Sequence, residues 1–165
     1  MEIEEEIGKL FIEAKRESRL GGKEKGLMIA VAESCTGGLI QKLITDVPGS
    51  SEYFLGGVVA YSNLLKQKLL NVSAQTLISY GAVSYEVACE MASGIREITG
   101  ADIGVATTGI AGPTGEAPDK PVGLVYIGLC TEKILTAHKF LFKGARQKIR
   151  EQTAYQALKL IKEMI

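Results

Sequence analysis

The sequence predicts an α/β protein: a three-layer α/β/α sandwich on a mixed, mostly parallel sheet with one antiparallel hairpin. Three observations predict it. Short apolar runs at 27–32, 57–62 and 103–108 alternate with stretches of helical periodicity, the pattern of parallel strands joined by crossover helices. Two further strand-like runs, 122–131 and 134–142, have only Glu132 and Lys133 between them, which is hairpin spacing. The 165 residues, 46% of them hydrophobic, suffice for one sizeable core, so 1–165 reads as a single domain.

Ile3, Ile7, Leu10, Phe11 and Ala14 recur at helical spacing over 2–19, with glutamates in the first turn, basic residues in the last and Gly21-Gly22 as a stop. The strand run at 27–32 feeds a helix over 37–46, which the VPGSS turn ends. After the strand at 57–62, Asn63 is placed to cap a helix running to Leu70, with Lys66 in its first turn. A short helix follows at 74–79. Ser84 then caps a longer one whose stripe is Val87, Met91, Ile95 and Ile98, ending at Gly100. The strand at 103–108 runs into GIAGPTGEAPDKPVG, which holds three of the four prolines and reads as a long exposed loop. Beyond the hairpin, Gly144 starts a final helix that turns Ile149, Ala154, Ala157, Leu158 and Ile161 inward.

Lys plus Arg and Asp plus Glu are 19 each, so no broad field attracts nucleic acid or an anionic membrane. Any anion must be held locally. Cys35, Cys89 and Cys130 are odd in number and form no C-x-x-C pair, which argues against a disulfide framework or structural zinc and for a reducing compartment. The opening MEIEEE is acidic where a signal peptide is basic, and no apolar run reaches membrane-spanning length. The expectation is a soluble cytoplasmic protein. No His/Asp/Glu cluster has metal-ligand spacing, and neither G-x-x-x-x-G-K-[ST] nor G-x-G-x-x-G occurs.

In open α/β sheets, ligands gather where strand ends feed helix starts. Three such segments stand out: 33–38, 61–66 and 109–115. The first, ESCTGG, presents Ser34, Cys35 and Thr36 at a strand-to-helix turn, where helix-start N–H groups are placed to hold a reaction oxyanion. Ser34 is the preferred nucleophile. The alternatives are that Ser34 or Thr36 only caps the helix and that Cys35 is a small core side chain.

The single histidine, His138, falls in a hairpin strand away from these loops, which disfavours a Ser-His-Asp triad. A neutral lysine is the next physical option, and Lys66 is on the right loop. A free lysine titrates near ~10.4, so poising it near neutrality requires a drop of about 3 units, roughly 4 kcal/mol. A helix N-terminus supplies only ~0.3 to 1 kcal/mol of that. Lys66 must therefore be buried beside the serine, or it is an ordinary surface lysine. Tyr61, at a strand end, is placed to relay a proton or simply to pack. Arg146 and Arg150, one helical turn apart, share a face suited to gripping a phosphate or carboxylate, or to an ion pair.

The sequence resembles the CinA C-terminal domain family, the stand-alone nicotinamide mononucleotide deamidases. The resemblance is carried by AESCTGG, TDVPGSSEYF, VVAYSNLLKQKLL, YGAVS, TTGIAGPTG, KPVG and FKGAR, in family order and spacing over nearly all of the chain after the first helix. It implies an amidohydrolase of pyridine nucleotide recycling that converts nicotinamide mononucleotide to nicotinate mononucleotide and ammonia by a Ser/Lys mechanism, without a cofactor or metal. On matching positions, the resemblance makes Ser34 the nucleophile and Lys66 its base, with Tyr61 assisting. It makes Cys35, Thr36, Gly37, Gly38, Gly109, Ile110, Ala111, Gly112 and Arg146, with Arg150 beside it, the substrate site. It implies a homo-oligomer, expected as a dimer, with a small-molecule substrate and neither nucleic acid nor membrane as partner. Many members carry an additional pyrophosphatase-like domain on the N-terminal side, which these residues do not match, so a single activity is expected here. Two competing readings use the same residues: a non-catalytic nucleotide-binding or regulatory module, and a thiol enzyme built on Cys35.

Overall fold

The computed structural model describes residues 2–21 and 26–165, so the second glycine of the expected Gly21-Gly22 stop lies outside the described residues. The elements follow in the order α1 (Ile3–Leu20), β1 (Ile29–Glu33), α2 (Leu39–Thr45), β2 (Phe54–Val59), α3 (Asn63–Leu70), α4 (Ala74–Tyr80), α5 (Tyr85–Thr99), β3 (Ile103–Gly109), β4 (Leu124–Cys130), β5 (Leu135–Leu141) and α6 (Arg146–Lys162). The sheet order is β2-β1-β3-β4-β5. β1 runs parallel to both β2 and β3, whereas β4 is antiparallel to β3 and β5. The mixed sheet between two helical layers is the fold that the sequence predicts.

Alternation along the central strands divides the core in two. Ile29 and Val31 of β1 with Ile103 and Val105 of β3 face a cluster built with α1, α2 and α6, while Ala30, Ala32 and Ala106 face α3 and α5. The second layer lies very close because small residues permit it. A Cβ on Gly104 would meet the Ala92 carbonyl oxygen at 2.2 Å, and one on Gly128 would meet that of Ala88 at 2.1 Å. On the outer side of α5, a Cβ on Gly94 would stand 2.0 Å from the Leu70 carbonyl oxygen. α5 thus sits against the sheet and α3 sits against α5.

From β1 the chain crosses to β2 on one side and returns to β3 on the other. The loops leaving β1 and β3 part at their carboxyl ends, which opens a crevice at the switch point.

Several boundaries differ from the expected ones. The helix expected over 37–46 begins at Leu39, because Gly37 (φ 59°) and Gly38 (φ 96°) make a left-handed turn first. The strand expected at 57–62 is Phe54–Val59: it begins at Phe54, directly after the turn that ends at Tyr53. Ser62 rather than Asn63 caps α3, its Oγ accepting from the Leu65 N–H at 3.2 Å. Both hairpin strands are shorter than expected, since the Thr131 N–H donates to the Ile134 carbonyl at 2.8 Å within the turn. α6 begins at Arg146, after Gly144 at φ 123°. Among the described residues, no helix is long and apolar enough to cross a membrane.

Candidate active site

The crevice holds a cavity of about 280 Å³ lined by residues of the three expected segments: Ser34 and Cys35 after β1, Tyr61, Asn63 and Lys66 after β2, and 109–112 with Thr114 and Gly115 from the last residue of β3 onward. Arg146 closes one side.

Ser34 is 8% exposed and its N–H donates to the Thr107 carbonyl at 3.0 Å, which ties the turn to the end of β3. β2 is tied to β1 in the same way, by the Ala60 N–H donating to the Glu33 carbonyl at 2.9 Å. That bond aims the Ala60 carbonyl at the first turn of α3. Lys66 emerges there and is 1% exposed. Its Nζ lies 3.0 Å from Ser34 Oγ, 2.9 Å from the Ala60 carbonyl oxygen and 3.3 Å from the Tyr61 carbonyl oxygen.

These three partners match a neutral amine as well as an ammonium. A neutral amine has two N–H donors for the two carbonyls and one lone pair for the hydroxyl proton. Among the described residues, Lys66 makes no ion pair. Burial holds the Lys66 amine below the ordinary lysine range, and a Cys35 thiolate beside it would oppose this. That opposition is absent at neutral pH, because burial pushes the Cys35 thiol up to about 12 and so keeps it protonated. An uncharged lysine facing a serine hydroxyl can serve as its base.

The helix start was expected to hold an oxyanion, and here the structure differs. The Glu33 carboxylate, 0% exposed, takes the N–H groups of Gly38 at 3.0 Å, Ile40 at 3.1 Å and Gln41 at 2.9 Å. The start of α2 is therefore already occupied by an anion from its own chain. Ala111 and Gly112 border the cavity, and their N–H groups have no backbone acceptor among the described residues.

Arg146 reaches across the mouth, its Nη1 donating to the Gly112 carbonyl at 2.9 Å and its Nη2 to the Tyr61 hydroxyl at 3.0 Å. Tyr61 is 60% exposed, so its ring lines the rim while its backbone carbonyl faces Lys66.

The structure thus brings together Ser34, Cys35, Tyr61, Lys66, Gly109, Ile110, Ala111, Gly112 and Arg146. It places Thr36, Gly37, Gly38 and Arg150 outside the cavity lining. Thr36 is fully buried, with its Oγ1 2.8 Å from Thr107 Oγ1. Gly37 and Gly38 form the turn behind Ser34, and Arg150 bonds to the backbone of that turn. His138 is on β5, exposed and stacked near Phe140. Sequence reasoning missed Thr108, Ala82 and Val83, which also line the cavity. It also missed Glu33, although a lone acid ending the buried run before a helix start is a capping signal. Among the described residues, no group of three or more His, Cys, Asp or Glu is placed to hold a metal ion.

The model of the CinA C-terminal domain matches residues 12–165. A competence-damage inducible protein of Thermoanaerobacter pseudethanolicus is 48% identical over 162 residues, 98% of this chain and 38% of that protein. One from Thermoanaerobacter sp. strain X514 is 52% identical over 139 residues, 84% of this chain and 34% of its own. The chain thus spans about a third of the length of these curated relatives. Among solved structures, the competence/damage inducible protein CihA of Agrobacterium tumefaciens superposes with a TM-score of 0.86 at 36% identity, covering 99% of this chain and 96% of its own. The competence or damage-inducible protein of Enterobacter asburiae also superposes at 0.86, with 29% identity over 100% of this chain and 99% of its own. With the fold, the spacing of the strand-end loops and these matches in agreement, the chain belongs to the CinA C-terminal domain family.

Proposed function

We infer that the protein is an amidohydrolase acting on nicotinamide mononucleotide, with Ser34 as nucleophile and Lys66 as base. The observation that carries this reading is the buried Lys66 Nζ, 3.0 Å from Ser34 Oγ and without an ion-pair partner among the described residues. A surface lysine would be charged and would hold the serine proton in place; this one is set to remove it.

Neutral Lys66 takes the Ser34 proton as Oγ bonds to the carboxamide carbon. The carbonyl oxygen becomes an oxyanion, for which the N–H groups of Ala111 and Gly112, without a backbone acceptor among the described residues, are available donors on the cavity wall. The C–N bond then breaks, and the departing nitrogen takes the proton from Lys66 and leaves as ammonia. Water repeats the route: Lys66 takes its proton, hydroxide adds to the ester, and Ser34 leaves with that proton. Among the described residues, Arg146 uses two of its donors on the protein, Nη1 and Nη2 giving one bond each, and its other N–H groups are available for the 5′-phosphate.

Ammonia release is the test, measured with nicotinamide mononucleotide, its riboside and free nicotinamide. Wild-type protein releases ammonia from the nucleotide. Ser34→Ala and Lys66→Ala remain folded and lose several powers of ten in turnover. Wild-type turnover in either variant contradicts the assignment, and nucleotide binding without ammonia points instead to a non-catalytic binding module.

A further inference from the structure

The turn carrying Ser34 is gripped from both sides by charged side chains that do not enter the cavity. From one side, the buried Glu33 carboxylate collects three N–H groups, those of Gly38, Ile40 and Gln41. From the other side, Arg150 of α6 donates through Nε to the Cys35 carbonyl at 3.2 Å and through Nη2 to the Thr36 carbonyl at 2.8 Å. Its Nη1 goes to Gln147 Oε1 at 3.2 Å. Every nitrogen of the guanidinium therefore has a protein partner.

Such a grip has a physical reason. The turn contains two successive left-handed glycines, Gly37 and Gly38, the least restrained backbone that a nucleophile can be mounted on. A displacement of 1 Å at a reacting atom costs about a hundredfold in rate. Charge-assisted bonds to main-chain groups are roughly twice as strong as neutral ones, and a guanidinium fork spans two adjacent carbonyls in a way that an ammonium cannot.

We propose that Glu33 and Arg150 are positioning residues, a brace of opposite charges in which Glu33 pins Gly38 and the start of α2 and Arg150 pins the Cys35 and Thr36 carbonyls, so that Ser34 Oγ stays against Lys66 Nζ, and that Arg150 does not hold the substrate phosphate. The proposal rests on the Ser/Lys reading above, and it separates two arginines that sequence spacing had paired. Arg146 belongs to the cavity and Arg150 to the nucleophile's backbone.

The two roles leave different kinetic marks. A brace acts on kcat; a phosphate ligand acts on KM and on the preference for nucleotide over riboside. Arg150→Ala is expected to lower kcat about a hundredfold with KM for nicotinamide mononucleotide within about threefold of wild type and an unchanged nucleotide-to-riboside preference. Added methylguanidine restores part of the rate, and Arg150→Lys recovers less than the guanidinium does. A raised KM with intact kcat and a lost nucleotide preference overturns the proposal, as does an Arg150→Ala enzyme with wild-type constants.

A second readout does not depend on the substrate: the rate at which a fluorophosphonate probe labels Ser34 in the intact chain. Labelling slows in both Arg150→Ala and the near-isosteric Glu33→Gln. If wild-type protein releases no ammonia but is labelled, and both variants slow the labelling, the amidase reading fails and the brace stands. If the variants label at the wild-type rate, the brace is overturned whatever the substrate. If wild-type Ser34 does not label at all, both readings fall.

Discussion

Lys66→Met turns the electrostatic state of the site into a stability measurement. Lys66 is 1% exposed and burial lowers its pKa, whereas in the unfolded chain it titrates near the ordinary lysine value of ~10.4. Between the folded and unfolded pKa values, the unfolded chain holds one more proton than the native protein. Wild-type stability therefore rises with pH across that window, and below the folded pKa this contribution is flat. Methionine takes up no proton. The stability of wild type minus that of Lys66→Met is thus expected to climb by up to about 1.4 kcal/mol per pH unit on approach to ~10.4. For a chain of this length that corresponds to roughly 3 to 6 °C in Tm per pH unit. Other groups whose pKa burial raises, such as Cys89 and Tyr53, are common to both proteins and cancel. Urea unfolding followed by circular dichroism, in steps from pH 7 to 10, reads the slope. A flat difference would mean that Lys66 titrates as it does in water. A difference that falls with rising pH would mean a hidden anionic partner. Either result refutes the reasoning that makes it a base.

Other expectations follow from the same geometry. With the Cys35 thiol pushed up to about 12, roughly one in ten thousand is ionised at pH 8, so iodoacetamide leaves turnover intact and Cys35→Ala keeps it within an order of magnitude; complete loss in both assays would favour the thiol enzyme. Arg146→Gln raises KM for the nucleotide while the riboside constants move little, as steady-state kinetics on the two substrates will reveal. Gly94→Ala places a Cβ 2.0 Å from the Leu70 carbonyl oxygen, so α3 must shift. Chemical denaturation should record a loss of at least about 1 to 3 kcal/mol, with an accompanying fall in kcat as Lys66 moves with its helix.

Much of this architecture was legible because its signals are local. Alternating apolar runs and the two-residue gap at Glu132-Lys133 are properties of neighbouring residues, and they located every strand to within a few positions. Ser34, Tyr61 and Lys66 could be picked out because strand ends converge at a switch point whatever the details of packing. Cap identity was less legible, since Ser62 and Asn63 are both good caps and only the φ/ψ of the turn chooses between them. The opposite fates of Arg146 and Arg150 were hidden for a different reason. One helical turn separates them in sequence, but the cavity edge falls between them in space. The burial of Lys66 was invisible too, because it depends on glycines at 94, 104 and 128 that let α5 and α3 approach the sheet, a long-range fact carried by residues that look unremarkable singly.

The central claim is that Ser34 receives the acyl group, and the most direct measurement is to find which residue carries it. Turnover with nicotinamide mononucleotide is quenched in acid at successive times and the peptides are weighed. An ester on Ser34, absent from Ser34→Ala, is the predicted result. An acyl group on Cys35, or ammonia released by Ser34→Ala at the wild-type rate with no acylated peptide in either protein, would contradict the account.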